Sequence, residues 1–181
     1  MNLPNRLTLA RMFLIPVFLA VVTLKIKYGD IIAAGVFVLA ASTDGLDGYF
    51  ARKNKQVTTL GKFMDPLADK LLVSSALIVL VELGKISAWV AVIIIGREFM
   101  VTGLRAIAAT EGVVISASTL GKWKTVTQIV AIVAMFLHNL TFQLLGVEIG
   151  RAAMAVAVFF TIWSGADYIS KGWHLLKKGE Y

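Results

Sequence analysis

The chain has 181 residues, of which 58% are hydrophobic, a mean hydropathy of +0.80 and a formal net charge of +7. This apolar content exceeds that of a soluble globular domain and favours one integral membrane domain over residues 1–181, with the positive charge marking topology and attraction to anionic lipid. The absence of cysteine excludes disulfides and cysteine metal sites, and the lack of a basic stripe with interleaved aromatics argues against nucleic-acid binding.

Six apolar segments are long enough to cross a bilayer, which takes ~20 residues as a helix. The first has no cleavage pattern after its apolar run, so we expect a retained helix rather than a signal peptide. The connections are short, and no repeat or linker divides the chain. In chain order the predicted transmembrane helices cover 7–26, 31–51, 62–82, 86–107, 123–141 and 150–170.

The distribution of lysine and arginine predicts the orientation of these spans. An even number of spans places both termini on one side, and that side holds most of the basic residues outside the spans. Cytoplasmic loops carry the excess of Lys and Arg, so both termini are expected in the cytoplasm. The chain is therefore predicted to be a multi-pass protein of the cell membrane, with the loop at 52–61 on its cytoplasmic face.

Two aspartates lie at the cytoplasmic end of the second predicted span. Asp44 and Asp47 are three residues apart, and Gly48 and Ala51 complete an i, i+3, i+4, i+7 set on one helical face. Acids at membrane depth are costly unless they face a cavity, pair or bind a cation. The small residues beside them leave room for a bulky polar ligand.

The third predicted span begins with a matching acidic face. Gly61, Asp65 and Asp69 recur every four residues, and the short loop makes the second and third spans a hairpin. Carboxylate oxygens without His or Cys suit a hard cation such as Mg²⁺ or Mn²⁺, and two divalent ions balance four acids. Interhelical ion pairs or helix capping are the structural alternatives.

The stretch from Asp44 to Asp69 resembles the signature of the CDP-alcohol phosphatidyltransferases. It reads D-x2-D-G-x2-A-R-x8-G-x3-D-x3-D without a departure. The segments "NLPNRLTLARMFLIPVF", "GKFMDPLADKLLV", "GREFMVTGLR" and "LGKWKTVTQ" resemble the glycerol phosphate-using branch of that family. The resemblance implies six transmembrane helices, usually in a homodimer, around a polar cavity open to the cytoplasm. It implies phosphatidyl transfer from CDP-diacylglycerol to sn-glycerol 3-phosphate.

The resemblance also implies roles for individual residues. Asp44, Asp47 and Asp65 would hold one metal ion, and Asp44, Asp65 and Asp69 a second. Asp69 would also accept the proton. The CDP-lipid would be contacted by Gly48, Arg52 and Thr58, beside the small residues Ala51 and Gly61.

Polar residues on the first span are candidates for the same ligand. Thr8 and Arg11 share a helical face and are candidates to touch the nucleotide or the lipid phosphate, with anchoring at the membrane interface as the alternative.

Basic residues near the cytoplasmic ends of the fourth and fifth spans are candidates for binding the acceptor phosphate. These are Arg105, Lys122 and Lys124, and ordinary positive-inside flanking is the alternative reading.

Two further charges lie in mid-span. Arg97 and Glu98 are adjacent, so we do not expect one simple pair, and Asp167 is a candidate partner for Arg97.

Three alternative functions stay open from the sequence. The same chemistry with serine, inositol phosphate or phosphatidylglycerol as acceptor would use the same metal motif. A membrane prenyltransferase would place its acid clusters on well-separated helices. A cation carrier would spread its acids through the bilayer or show inverted repeats, whereas these acids gather near one face.

Overall fold

The computed structural model describes residues 3–24, 26–54, 59–110, 112 and 118–178. It describes side chains for 7–24, 26–43, 64–110, 112, 118–138, 140–142 and 146–172.

The described chain is entirely helical, as the sequence predicts. Its helices are α1 (Leu3–Thr23), α2 (Gly29–Asn54), α3 (Thr59–Glu82), α4 (Ala88–Thr110), α5 (Thr119–Phe136), α6 (His138–Leu145) and α7 (Ile149–Lys178). At 1.5 Å per residue, α2, α3, α4 and α7 are each longer than the ~30 Å apolar layer of a bilayer.

The predicted fifth span, 123–141, is not one continuous helix. Leu137 has φ −83° and ψ 6°, outside the α-helical region, and it separates α5 from α6. The short α6 ends at Gly146, whose φ of 65° is left-handed and whose N–H donates to the Phe142 carbonyl at 2.9 Å. The polar residues His138 and Asn139 follow Leu137 directly, so the sequence contains a polar break at the turn that the predicted span 123–141 runs across.

The core lies where α1, α2, α3 and α5 meet. The Phe18 ring contacts Phe37 with centroids 6.2 Å apart and Phe136 edge-on at 5.5 Å. All three side chains are fully buried, and they join α1, α2 and α5. Helix α7 packs on α4 and α5, and α6 bridges α5 and α7. This core supports a polar end of the bundle built from α1, α3, α4, α5 and α7.

The surface of the bundle is strongly apolar and part of its interior is polar. Arg11, Lys124 and Gln128 are almost completely buried. Large apolar side chains face outward on each long helix, among them Phe13, Leu39, Ile78, Trp89, Val130 and Phe159. A large exposed apolar surface marks contact with a partner or a membrane.

One stretch of the described chain, Ile149–Gly172, is both long and apolar enough to cross a membrane by itself. Two shorter apolar stretches occupy Leu7–Thr23 and Gly29–Thr43. The six-span topology stays a prediction.

Replacing the central aromatic side chain tests the core. Phe18→Ala removes a fully buried ring that touches two other helices, so we expect a loss of about 3–5 kcal/mol in unfolding free energy. Thermal unfolding in detergent measures it. The control is Phe13→Ala on the same helix, where the ring is 71% exposed and the expected change is within about 0.5 kcal/mol. Equal shifts in the two variants would contradict this packing.

Candidate active site

The two acid-bearing segments are helical where the sequence predicts it. Asp44, Asp47, Gly48, Ala51 and Arg52 all lie in α2, and Gly61, Asp65 and Asp69 lie in α3. The shared-face relation within each set therefore holds for the backbone, and α2 and α3 contact each other. Side chains at 44–63 and the whole of Thr58 lie outside the described residues, so the meeting of the two acidic faces stays a prediction.

Helix α1 binds the acidic face of α3. The Thr8 hydroxyl donates a hydrogen bond to Asp65 Oδ1, and Thr8 is only 2% exposed. A carboxylate has two oxygens, so this bond is compatible with a second ligand on Asp65. Thr8 thus lies beside a predicted metal ligand, while its contact with CDP-lipid stays a prediction.

The same face of α1 also binds α2, one residue before Asp44. Arg11 Nε donates to Thr43 Oγ1 at 3.0 Å, and Thr43 in turn donates to the Ala40 carbonyl at 2.7 Å. Arg11 is fully buried, which is incompatible with the alternative that it anchors the helix at the membrane interface. Thr8 and Arg11 therefore tie α1 to both acid-bearing helices.

The donor set suits a hard divalent cation. Asp65 and Asp69 offer only carboxylate oxygens, and the chain has no cysteine to compete as a ligand. Within the described side chains no group of three His, Cys, Asp or Glu gathers, and of the four predicted ligands only these two belong to that part.

A cavity of about 750 Å³ opens beside Asp69. Its walls come from α3, α4, α5 and α7, so it lies on the side of α3 that carries this predicted base. Asp69 also lines a much smaller neighbouring cavity, together with Lys124 and Gln128. The larger cavity is lined by five basic and two acidic side chains: Lys70, Arg97, Arg105, Lys122 and Lys124, with Asp69 and Glu98.

The three predicted acceptor-binding cations all line this cavity, but in two different states. Arg105 and Lys122 are exposed to it. Lys124 is 5% exposed, and its Nζ donates to Glu98 Oε1 at 2.5 Å. Arg105 and Lys122 are therefore accessible to an anionic ligand, whereas Lys124 is already engaged in an ion pair.

The partner of Arg97 differs from the sequence expectation. Arg97 Nη1 donates to Glu98 Oε1 at 3.2 Å, so the adjacent residues do pair. Adjacent helical positions diverge at Cβ, but these two side chains are long enough to curl back to a common point. Asp167, the expected candidate, instead accepts from Lys171 one turn later at 2.8 Å.

Tyr168 joins two elements in one wall of the cavity, a role that the sequence patterns did not predict. Its hydroxyl accepts a hydrogen bond at 2.9 Å from the N–H of Ser118, the N-cap of α5. Its ring lies 5.3 Å from the Arg97 guanidinium carbon. Thr161, Ser164 and Tyr168 form a buried polar stripe at helical spacing on α7, and that spacing is the signal that could have indicated it.

Carboxylates that suit a divalent cation, next to a basic cavity, are compatible with a protein that handles phosphorylated ligands. Residues 1–163 match the CDP-alcohol phosphatidyltransferase family, and the chain belongs to that family.

Three relatives carry the name CDP-diacylglycerol–glycerol-3-phosphate 3-phosphatidyltransferase. The protein of Bacillus subtilis (strain 168) is 48% identical, and the alignment covers 97% of both chains. That of Pseudomonas fluorescens is 39% identical over 98% of this chain and 93% of the relative. That of Rickettsia bellii is 38% identical over 92% of this chain and 93% of the relative.

The role of Tyr168 is tested by removing its hydroxyl alone. Tyr168→Phe keeps the ring under Arg97 but withdraws the acceptor for the Ser118 N–H, which costs about 1–3 kcal/mol if that donor stays unsatisfied. We expect faster hydrogen exchange in the first turn of α5. Tyr28→Phe, where the ring is 65% exposed, is the control. Unchanged exchange in Tyr168→Phe would contradict the role.

Proposed function

We propose that the chain transfers the phosphatidyl group from CDP-diacylglycerol to sn-glycerol 3-phosphate, giving phosphatidylglycerol phosphate and CMP. The family match and the names of the relatives support this reaction. The structural observation that supports this proposal most directly is the cavity, which is lined by Asp69 together with the exposed cations Arg105 and Lys122. A carboxylate near a basic pocket suits an acceptor that brings both a hydroxyl and a phosphate.

The chemistry at Asp69 is a proton transfer coupled to displacement at phosphorus. The acceptor hydroxyl oxygen bonds to the lipid-side phosphorus, the bond from that phosphorus to the CMP oxygen breaks, and CMP leaves with the electron pair. Asp69 takes the hydroxyl proton as attack proceeds. Positioning and electrostatics account for most of the rate in such transfers.

Two divalent ions, Mg²⁺ or Mn²⁺, are part of this proposal. Asp44, Asp47, Asp65 and Asp69 would hold them, and bound ions would neutralise phosphate charge and stabilise the leaving oxygen. Thr8 supports this arrangement by fixing the Asp65 carboxylate through its hydrogen bond. Arg11 fixes α2 next to Asp44 by binding Thr43.

Recognition of the two substrates is divided between different helices. The acceptor phosphate is assigned to Arg105 and Lys122, with Lys124 as the third predicted contact. A guanidinium and an ammonium provide charge-assisted hydrogen bonds to a phosphate. The CDP-lipid is assigned to the face of the hairpin and the neighbouring α1 residue: Gly48, Ala51, Arg52, Thr58, Gly61 and Thr8.

The membrane arrangement is also part of the proposal. We assign the whole chain to one domain with six transmembrane spans, both termini and the cavity on the cytoplasmic side of the cell membrane. The outward-facing apolar side chains and the polar interior support burial of the bundle in membrane lipid. The acyl chains of the CDP-lipid would then stay in the same lipid layer. A homodimer is expected from the family resemblance.

The reaction is tested by offering acceptors to purified protein with CDP-diacylglycerol and Mg²⁺. We expect CMP release with sn-glycerol 3-phosphate. A basic cavity disfavours serine, which has no phosphate, and the names of the relatives favour glycerol 3-phosphate over inositol phosphate and phosphatidylglycerol, so we expect no release above background with these three. Chelation by EDTA is expected to stop release, and added Mg²⁺ or Mn²⁺ to restore it. Release with serine but not with glycerol 3-phosphate would reject this acceptor. Cation flux in vesicles without CMP release would favour a carrier.

The proposed base is tested by Asp69→Asn. Because the amide cannot take the proton or carry the charge of a metal ligand, we expect turnover to fall by about 100-fold to 10,000-fold while the protein still inserts. The matched control is Asp30→Asn. This change breaks the ion pair between Asp30 and Lys85, whose charged atoms are 2.8 Å apart and which does not line the cavity. Turnover near that of wild type in Asp69→Asn would remove Asp69 from this role.

A further inference from the structure

Lys124 differs from the other predicted phosphate ligands in its burial. It is 5% exposed, whereas Arg105 and Lys122 in the same cavity are exposed. Its Nζ lies 2.5 Å from Glu98 Oε1, so its charge is already paired. A buried ammonium is tolerated only with such a partner, and a phosphate would have to displace Glu98 to reach it.

Glu98 joins two of the helices that form the cavity, and its neighbour Arg97 contacts a third. Glu98 lies on α4, accepts from Lys124 on α5, and accepts from Arg97 at 3.2 Å. The other guanidinium nitrogens of Arg97, Nε and Nη2, are buried without a hydrogen-bond partner in the described part of the chain, and the group lies over the ring of Tyr168 on α7. The carboxylate of Glu98 therefore holds two buried cations in place at once.

The exposed cations are placed by the same two helices. Arg105 follows Glu98 by seven residues on α4, so the two share a helical face. Lys122 precedes Lys124 by two residues in the first turns of α5. Helix α7 packs against both α4 and α5, and the Glu98–Lys124 pair is a direct side-chain link between these two helices, so it contributes to the distance between Arg105 and Lys122.

We propose that Glu98 and Lys124 are a positioning pair that sets the spacing of Arg105 and Lys122 for an acceptor phosphate, and that neither member touches the acceptor. This rests on the proposed function, because it assigns a role within the acceptor pocket. It also replaces the direct phosphate contact that the sequence predicts for Lys124.

Reversing the pair separates positioning from direct contact. We expect E98Q and K124Q each to raise the KM for sn-glycerol 3-phosphate by about tenfold or more, since E98Q leaves Lys124 without its carboxylate partner and K124Q removes the ion pair between α4 and α5. The reversed pair E98K/K124E restores an ion pair between α4 and α5, and its carboxylate must also compensate Arg97, so its KM is expected to be lower than that of either single variant. The KM for CDP-diacylglycerol is expected to stay within about twofold throughout, because the pair lies in the acceptor wall.

A direct phosphate contact gives the opposite result. The carboxylate introduced by K124E would then repel the acceptor dianion, and E98K/K124E would be at least as impaired as K124Q. That outcome overturns the proposal. The comparison variant is K122Q, for which we expect a raised KM that the additional change E98Q does not improve, since Lys122 is exposed and takes no part in the pair.

Two further measurements keep the test decisive. If E98K/K124E unfolds at a lower detergent melting temperature than K124Q, the double variant E98Q/K124Q replaces it, because the two amides can hydrogen-bond to each other and leave no unpaired charge at positions 98 and 124, while the amide oxygen at position 98 can still accept from Arg97. Positioning predicts a lower KM for E98Q/K124Q than for either single variant, and direct contact predicts one no lower than that of K124Q. Wild-type CMP release with glycerol 3-phosphate tests the proposed function by itself, whereas ratios of variants to wild type test the pair.

Discussion

Charge inside an apolar bundle is the constraint on which this structure depends. An ionised group removed from water is costly unless a partner compensates it, and the surroundings of this interior are apolar on all sides. The chain meets that requirement for the two most buried cations of the described residues, Arg11 and Lys124, through side chains of other helices. Arg11 of α1 reaches Thr43 of α2, and Lys124 of α5 reaches Glu98 of α4. The groups that make the interior polar therefore also fix the helices relative to one another.

Asp69 lines the same cavities as the ion pair of Glu98 and Lys124. It borders both the large cavity and the smaller one next to it, and both cavities also include Glu98 and Lys124. The predicted base therefore lies on α3, and the cavity that it lines has its accessible basic residues on α4 and α5. Such a position fits a reaction in which a hydroxyl on a phosphorylated molecule must meet an activated phosphorus.

The sequence predicts the local features well and the distant ones poorly. Helical periodicity was enough to place Asp44 and Asp47 on α2 and Asp65 and Asp69 on α3, because spacing of three and four residues depends only on backbone geometry. The turn at Leu137 was not predicted, although the polar residues His138 and Asn139 follow it, because apolar residues resume within the length of one span.

Most contacts between residues far apart in the sequence were not predicted. Tyr168 acts on the backbone of Ser118, 50 residues away, and no spacing rule reaches that far. The sequence prediction for Arg97 and Glu98 was wrong for a different reason. The rule for adjacent residues concerns the directions of their Cβ atoms, whereas long side chains can bend towards each other. The division of the cavity walls, with the predicted base Asp69 on α3 and the accessible cations Arg105 and Lys122 on α4 and α5, has an evolutionary consequence. A lineage could exchange its acceptor alcohol by substituting residues in α4 and α5 alone, while the phosphorus chemistry is inherited intact on the neighbouring helices.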